Sequence, residues 1–393
     1  MSDNKILNQN EIIDSVIEKI KSNDFNIYFY CPPMNGPSGG VGVLLRLAKH
    51  LKDENYNVKI IYEPRVDQKA SYEKSIKLNK QVNVYETFKP NWVEFSIEDI
   101  PFIPLGDKTI TFNDGTSTLA QNLKLSGEDY LFIPEGFPDI MKKTMNTSCK
   151  RIVLAQSWFY ILNALGHERW QDFGISDVVA ISDSIIEYLN AVMPGLNIRK
   201  LNQGIDRETF KVPEKKTNKY PMVGYLSTRG PENRLKVMNI IKMFQRLYPH
   251  LRFIRFIDLQ SNTREEFAEK ISQTSINLVT DPIAGFGTSP LESMACGSHV
   301  VGWSAFGMKE FANFNGSESN GFWVQNEDIF QAAEMLGVAL DKLLLGDLDA
   351  PEIQETYEKT LAKYTVEGEK KEFLDLINYY KNIRINELES VKQ

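Results

Sequence analysis

Short runs of β-branched and aromatic residues recur along the chain, and the segments between them carry apolar residues at helical spacing. In the first half, the runs at 26–30, 57–62, 109–112, 130–133, 151–155 and 177–181 predict strands. In the second half, 222–226, 251–257, 276–279, 299–303 and 321–324 do the same. Ile12, Ile13, Val16 and Ile20 predict an amphipathic helix over 11–21, and Leu44, Leu45, Leu47, Ala48 and Leu51 predict another over 41–51. Further helices are expected at 183–192, where Ser182 is the cap, and at 235–248, 264–273 and 328–345. The tail 351–393 reads as largely helical, while 64–107 is irregular, with a polar surface helix or loop over 69–80. Strand and helix therefore alternate twice over. That pattern predicts an α/β protein of two doubly wound, Rossmann-like domains facing a cleft.

Composition narrows the picture. A chain of 393 residues is comfortable for two cores. The segment 213–221 is charged, holds two prolines and lacks an apolar pattern, so the linker is placed there. The boundaries are 1–212 for the first domain and 213–364 for the second, with a C-terminal helix in 365–393. A net charge of −7 argues against broad nucleic-acid binding. No apolar run reaches the roughly 18 residues that span a bilayer, and the polar N-terminus does not read as a signal peptide. Cys31, Cys149 and Cys296 are too few for a disulfide framework and fit a reducing, cytoplasmic setting.

The most informative stretch is 276–303, INLVTDPIAGFGTSPLESMACGSHVVGW. It parses as strand, glycine loop, short helix and strand, a βαβ unit. Gly285 and Gly287 let backbone approach a ligand closely. Ser289 is expected at the helix N-cap, Pro290 at the first position and Glu292 at the third. Free N–H groups and the positive dipole end would then face the loop, where a diphosphate could sit. Glu292 can turn towards the same crevice and accept hydroxyl hydrogen bonds from a ribose, or it can close a capping box with Ser289.

The run Gly285-Phe286-Gly287, then Glu292 and Met294-Ala295-Cys296-Gly297, resembles the signature of retaining glycosyltransferases of the GT-B fold, in particular the large family 4 group. The resemblance implies a donor site at Gly285, Phe286, Gly287, Thr288, Ser289 and Glu292. That family carries a second glutamate eight positions before the first, and here that position is Ala284. Asp281 is the nearest acid and is expected to accept a sugar hydroxyl in its place. Its competing role is a turn cap ahead of Pro282.

At the N-terminus, Gly40-Val41-Gly42 and Glu63 suggest a dinucleotide fingerprint. The glycines lie too far beyond the strand, however, and Leu45 replaces the third. By resemblance, Gly39 and Gly40 would approach the donor phosphate or sugar. Relatives also place cations at the first turn of the second domain, where Arg229 and Arg234 are available for the diphosphate. In the loop after the 151–155 strand relatives carry a polar acceptor-side residue, and here Gln156 is nearest. Glu135 lies at the carboxyl end of the 130–133 strand. By this resemblance Asp281, Glu135 and Gln156 are the candidate catalytic residues, the last two on the acceptor side. His299 reads as a satisfied core residue. Asp347-Leu348-Asp349 follows a helix in a polar loop and is set aside as a metal motif. No His/Cys cluster suggests zinc.

Taken together, the resemblance implies a hexosyltransferase-type enzyme that moves a sugar from a nucleoside-diphosphate donor to an acceptor, with retention of configuration. A role in surface polysaccharide or glycoconjugate synthesis is expected. No metal or other cofactor is expected. The acceptor is open between saccharide, lipid-linked and protein, with no nucleic-acid partner; peripheral contact at the inner face of the membrane is also open. Two alternatives stand beside this reading: another GT-B nucleotide-sugar enzyme of epimerase or phosphorylase type, and a non-catalytic nucleotide-sugar-binding protein.

Overall fold

The structure is a computed structural model. It describes residues 9–32, 38–62, 90, 92–104, 110–111, 117–118, 125–214, 220–227, 231–314 and 319–392. The expected element at 69–80, Glu63 and Arg229 lie outside the described residues.

The first half runs α1 (Gln9–Lys21), β1 (Asn26–Cys31), α2 (Gly39–Asp53), β2 (Asn57–Tyr62) and β3 (Phe102–Pro104). It continues with β4 (Ile110–Thr111), β5 (Ser117–Thr118), β6 (Tyr130–Pro134), α3 (Pro138–Lys143), β7 (Lys150–Ala155) and α4 (Ile161–Leu165). It closes with β8 (Asp177–Ala180), α5 (Asp183–Val192) and β9 (Asn197–Lys200). Seven of these strands form a parallel sheet in the order β3-β2-β1-β6-β7-β8-β9. The central strands β6 and β7 are buried along their whole length, as expected where helices cover both faces of a parallel sheet.

The second half runs β10 (Met222–Tyr225), α6 (Pro231–Leu247), β11 (Arg255–Asp258), α7 (Arg264–Ser272), β12 (Ile276–Val279) and α8 (Thr288–Ala295). It ends with β13 (His299–Trp303), β14 (Phe322–Val324), α9 (Ile329–Leu345), α10 (Pro351–Leu361) and α11 (Val366–Val391). Its five-stranded parallel sheet has the order β11-β10-β12-β13-β14. In both sheets the strand order reverses beside the first strand, and crevices form at the carboxyl ends at such a switch point.

Helix α11 packs against the first sheet. Phe373, Leu376, Ile377 and Tyr380 join the core built on Phe29 and Phe132, with the Phe373 and Phe132 rings 5.5 Å apart. A second core joins the two halves, containing Ile181 and Ile185 from one side and Phe286 and Met308 from the other. Polar contacts reinforce that seam: Ser182 Oγ donates to Gly285 O at 2.8 Å, and Ser184 Oγ donates to Phe306 O at 2.7 Å.

Several elements differ from the sequence reading. Gly39 and Gly40 are not loop residues; they open α2, with Ser38 as N-cap. The 109–112 strand shrinks to β4, which pairs antiparallel with β5 outside the large sheet. Strand β11 begins at Arg255 because Pro249–Leu251 forms a 3₁₀ turn first. Helix α6 starts at Pro231, four residues before its first exposed leucine at 235. Strands β3 and β9 were not expected.

Candidate functional site

A cleft of ≈ 380 Å³ lies between the carboxyl edges of the two sheets. The residues just past β10, β11 and β12, namely Leu226, Leu259 and Thr280, form part of its wall. Ser38, Gly40 and Gln156 contribute the opposite wall from the first half. Of the residues singled out in the sequence, Gly39, Gly40, Gln156, Asp281, Ala284, Gly285, Phe286, Gly287, Thr288, Ser289 and Glu292 all line this one cleft.

Helix α8 points its N-terminus into the cleft. Its N-cap is Gly287, not Ser289, and no side chain among the described residues caps it. The reason is conformational: Gly287 has φ +84°, a left-handed backbone that side chains rarely adopt, so the helix starts earlier than the Ser-Pro pattern indicates. The Ser289 hydroxyl is occupied instead by Asn277 of β12, whose Nδ2 lies 3.0 Å from it and 2.8 Å from Ser293 Oγ. The helix start is thus braced from below while its first N–H groups keep no side-chain cap. That is the chemistry of an anion site.

Glu292 closes no capping box. Its side chain is 2% exposed, and its Oε1 accepts from Arg264 Nη2 at 2.5 Å. Asp281 accepts the Ile283 N–H through Oδ1 at 3.1 Å, an Asx turn at the cleft wall. Ala284 is buried at 4% exposure. The seam beside it is tight: a Cβ on Gly285 would lie 2.1 Å from Gln156 O.

On the opposite wall, Gln156 Nε2 donates to Gly40 O at 2.9 Å, and its backbone N–H donates to Glu135 Oε2 at 3.1 Å. Gln156 Oε1, Ser157 Oγ and Trp158 Nε1 are buried with no hydrogen-bond partner among the described residues. Glu135 itself is buried and sits behind the wall rather than on it. Burial pushes its carboxyl up to about 7, against the backbone N–H groups that favour the charged form. Arg234 is exposed on α6 and does not line the cleft.

Among the described residues, the cations that do line it are Arg46 and Arg264, neither of which the sequence brought forward. They belong to an alternating series of charges. Glu369 of α11 receives Arg46 through Nε and Nη2, each at 2.7 Å. Arg46 Nη1 lies 4.0 Å from Glu94, and Arg264 Nε lies 3.9 Å from the same carboxylate. Burial opposes the charge on both guanidiniums, but Glu369 beside Arg46 and Glu292 beside Arg264 outweigh it and hold them charged. For Glu369, burial is outweighed by Arg46, His50 and the Gly204 N–H, and its carboxyl is held down to about 2. His299 meets the sequence reading: buried, its Nδ1 lies 2.7 Å from the Tyr357 hydroxyl.

Among the described residues, no group of three or more His, Cys, Asp or Glu could hold a metal ion, and no helix is long and apolar enough to cross a membrane.

Two parallel sheets facing each other across a cleft, with helix α8 aimed into it, define the GT-B fold of glycosyltransferases. Solved structures share it along most of the chain. HepE of Anabaena in complex with UDP-glucose aligns over 90% of this chain and 99% of its own, with a TM-score of 0.63 and 12% identity. A TarM variant of S. aureus in complex with UDP, α-GlcNAc-glycerol and fondaparinux aligns over 90% of this chain and 99% of its own, with a TM-score of 0.60 and 14% identity. At the sequence level, an α-1,6-glucosyltransferase of Actinobacillus pleuropneumoniae serotype 7 (strain AP76) is 30% identical over 111 residues. That match spans 28% of this chain and 33% of the relative. No protein-family model matches the chain.

Proposed function

We propose that this protein is a glycosyltransferase that takes a hexose from a nucleoside-diphosphate sugar and passes it to a saccharide acceptor. The observation that carries the reading is the uncapped N-terminus of α8 at Gly287, set beside the buried carboxylate of Glu292 on the floor of one cleft. The helix end would hold the diphosphate, and Glu292 would accept the ribose hydroxyls. As the sugar leaves, negative charge grows on the diphosphate, and preorganised N–H groups stabilise it most at that stage. UDP is the first nucleotide to test, because HepE and TarM were solved with UDP-glucose and with UDP.

In this reading residues 213–364 form the donor side, while residues 1–212 with 365–393 form the acceptor side. Gln156 would contact the acceptor. Retention of configuration follows from the family resemblance, and a place in surface polysaccharide or glycoconjugate synthesis belongs to the same reading. Lipid-linked and protein acceptors, and peripheral contact at the inner face of the membrane, stay open beside it. One observation favours a second reading, a nucleotide-sugar binder without turnover. Ala284 stands where the family has a carboxylate, and the Asp281 carboxylate is engaged in a turn.

The test is nucleotide release from UDP-, GDP-, dTDP- and CMP-sugars, with and without mono- and oligosaccharide acceptors. Release that depends on acceptor supports transfer. Binding without release supports the second reading, and neither binding nor release removes both.

A further inference from the structure

Arg264 is fixed from several directions. Its Nη2 donates to Glu292 Oε1 at 2.5 Å, its Nε faces Glu94 at 3.9 Å, and its guanidinium stacks over the Phe210 ring at 4.7 Å and the Phe267 ring at 5.7 Å. Its own backbone N–H reaches Trp92 O of the first half at 3.4 Å. A planar cation held between rings and carboxylates has few donors left and little freedom to swing. Among the described residues the local charge also disfavours an anion: Glu94, Glu292 and Glu369 are three carboxylates against the two guanidiniums Arg46 and Arg264. By contrast, Glu292 Oε2 makes no hydrogen bond with any described residue, and Glu292 lines the cleft. One oxygen of the carboxylate is clamped and the other is left for a ligand hydroxyl.

Resting on the nucleotide-sugar reading above, we infer that Arg264 is the positioning residue for ribose recognition: it clamps Glu292 so that Oε2 faces the 2′- and 3′-hydroxyls, and it does not bind the diphosphate. Glu94 backs the clamp from the other half of the molecule, so the ribose site is complete only with the two halves together. Loss of the guanidinium lets the Glu292 carboxylate rotate, and its preference for a vicinal diol goes with it.

The experiment is calorimetric titration of wild type, Arg264→Met, Arg264→Lys and Glu94→Gln with UDP, 2′-deoxy-UDP and uridine, and with GDP, 2′-deoxy-GDP and guanosine. Wild type is expected to favour the ribonucleotide over its deoxy analogue by about tenfold, one charge-assisted hydrogen bond. In Arg264→Met that ratio should fall to within about twofold, while the preference for diphosphate over nucleoside stays as in wild type. Arg264→Lys keeps the charge but lacks the fork, and Glu94→Gln loosens the clamp; both should give intermediate ratios. These two variants carry the test if Arg264→Met does not fold. An unchanged ribose preference in the folded variants overturns the inference, as does a collapse of the diphosphate preference. Failure of wild type to bind any of these nucleotides removes the functional reading itself, a different outcome.

Discussion

Arg46 and Glu369 are 323 positions apart in sequence and meet in a bidentate ion pair, with both N–O distances 2.7 Å and the Glu369 side chain wholly buried. The same carboxylate receives the Gly204 N–H at 2.7 Å and lies 3.0 Å from His50 Nε2. One side chain therefore ties the C-terminal helix to α2 and to the loop after β9. Removing one member of a buried pair strands the other, at a cost of roughly 3–5 kcal/mol. Glu369→Gln should lower stability by about that much in urea unfolding at neutral pH.

The sign of the pH dependence follows. The Glu369 carboxyl is held down to about 2 in the fold, below its usual 4.5, so its contribution is present above 4.5 and is lost as pH falls towards 2. The gap between wild type and Glu369→Gln should shrink in that window; a gap that stays constant down to pH 2 contradicts the assignment.

Glu135 behaves in the opposite sense. Burial lifts its carboxyl from 4.5 to about 7, so the fold holds its proton more tightly than the unfolded chain does. Its stabilising share is complete below 4.5 and fades as pH rises through 7. Glu135→Gln does not titrate, so it should gain on wild type by roughly 2–3 kcal/mol between about pH 5 and pH 8. Parallel stability curves for the two proteins would show that Glu135 is ionised in the fold at both ends.

Gly285 sits where the halves touch. A methyl group there would meet the Gln156 carbonyl at 2.1 Å, and backbone cannot step aside as a flexible side chain can. Overpacking of this kind costs roughly 1–3 kcal/mol. Gly285→Ala should lower the melting temperature and weaken nucleotide binding together, because the same seam sets the position of the α8 N-terminus. Full nucleotide affinity with an unchanged melt would mean that the seam opens freely.

Asp281 has two competing duties. Its Oδ1 already serves the Ile283 N–H, while the residue lines the cleft where a sugar would lie. Steady-state kinetics of Asp281→Asn separates them. If a sugar contact operates, turnover falls by about tenfold, some 1.4 kcal/mol in barrier, with an unchanged melt. If only the turn is served, turnover and melt both hold, because the Asn Oδ1 accepts the Ile283 N–H as the carboxylate does.

How much of this was legible follows from how local each feature is. Strands β6 and β7 are continuous apolar runs because both faces are covered, so periodicity alone locates them. Strand β9, Asn-Ile-Arg-Lys, is an edge strand with no fully buried residue, and it looks like a polar loop. The 285–297 motif was readable because strand, loop and helix are adjacent in sequence. Its start was misplaced because Gly287 adopts a left-handed conformation that composition does not reveal. The charge series was not readable at all. Arg46 sits between Leu45 and Leu47 in a helix where a charge ordinarily marks the solvent face, and its partners Glu94 and Glu369 come from distant segments. Arg234 had the expected place in sequence, but α6 carries it to the surface.

The most direct test of the account is a thermal-shift comparison of wild type and Glu292→Gln with UDP-, GDP-, dTDP- and CMP-sugars. Binding to the folded state raises the melting temperature by linkage. At least one of these donors should raise that of wild type, and the same donor should raise that of Glu292→Gln clearly less, since a charge-assisted bond worth roughly 1.5–3 kcal/mol is lost. The variant should also melt lower than wild type on its own, because Arg264 loses its carboxylate partner. Equal shifts in the two proteins, or no shift in wild type with any donor, would contradict the claim that this cleft is a nucleotide-sugar site built on Glu292.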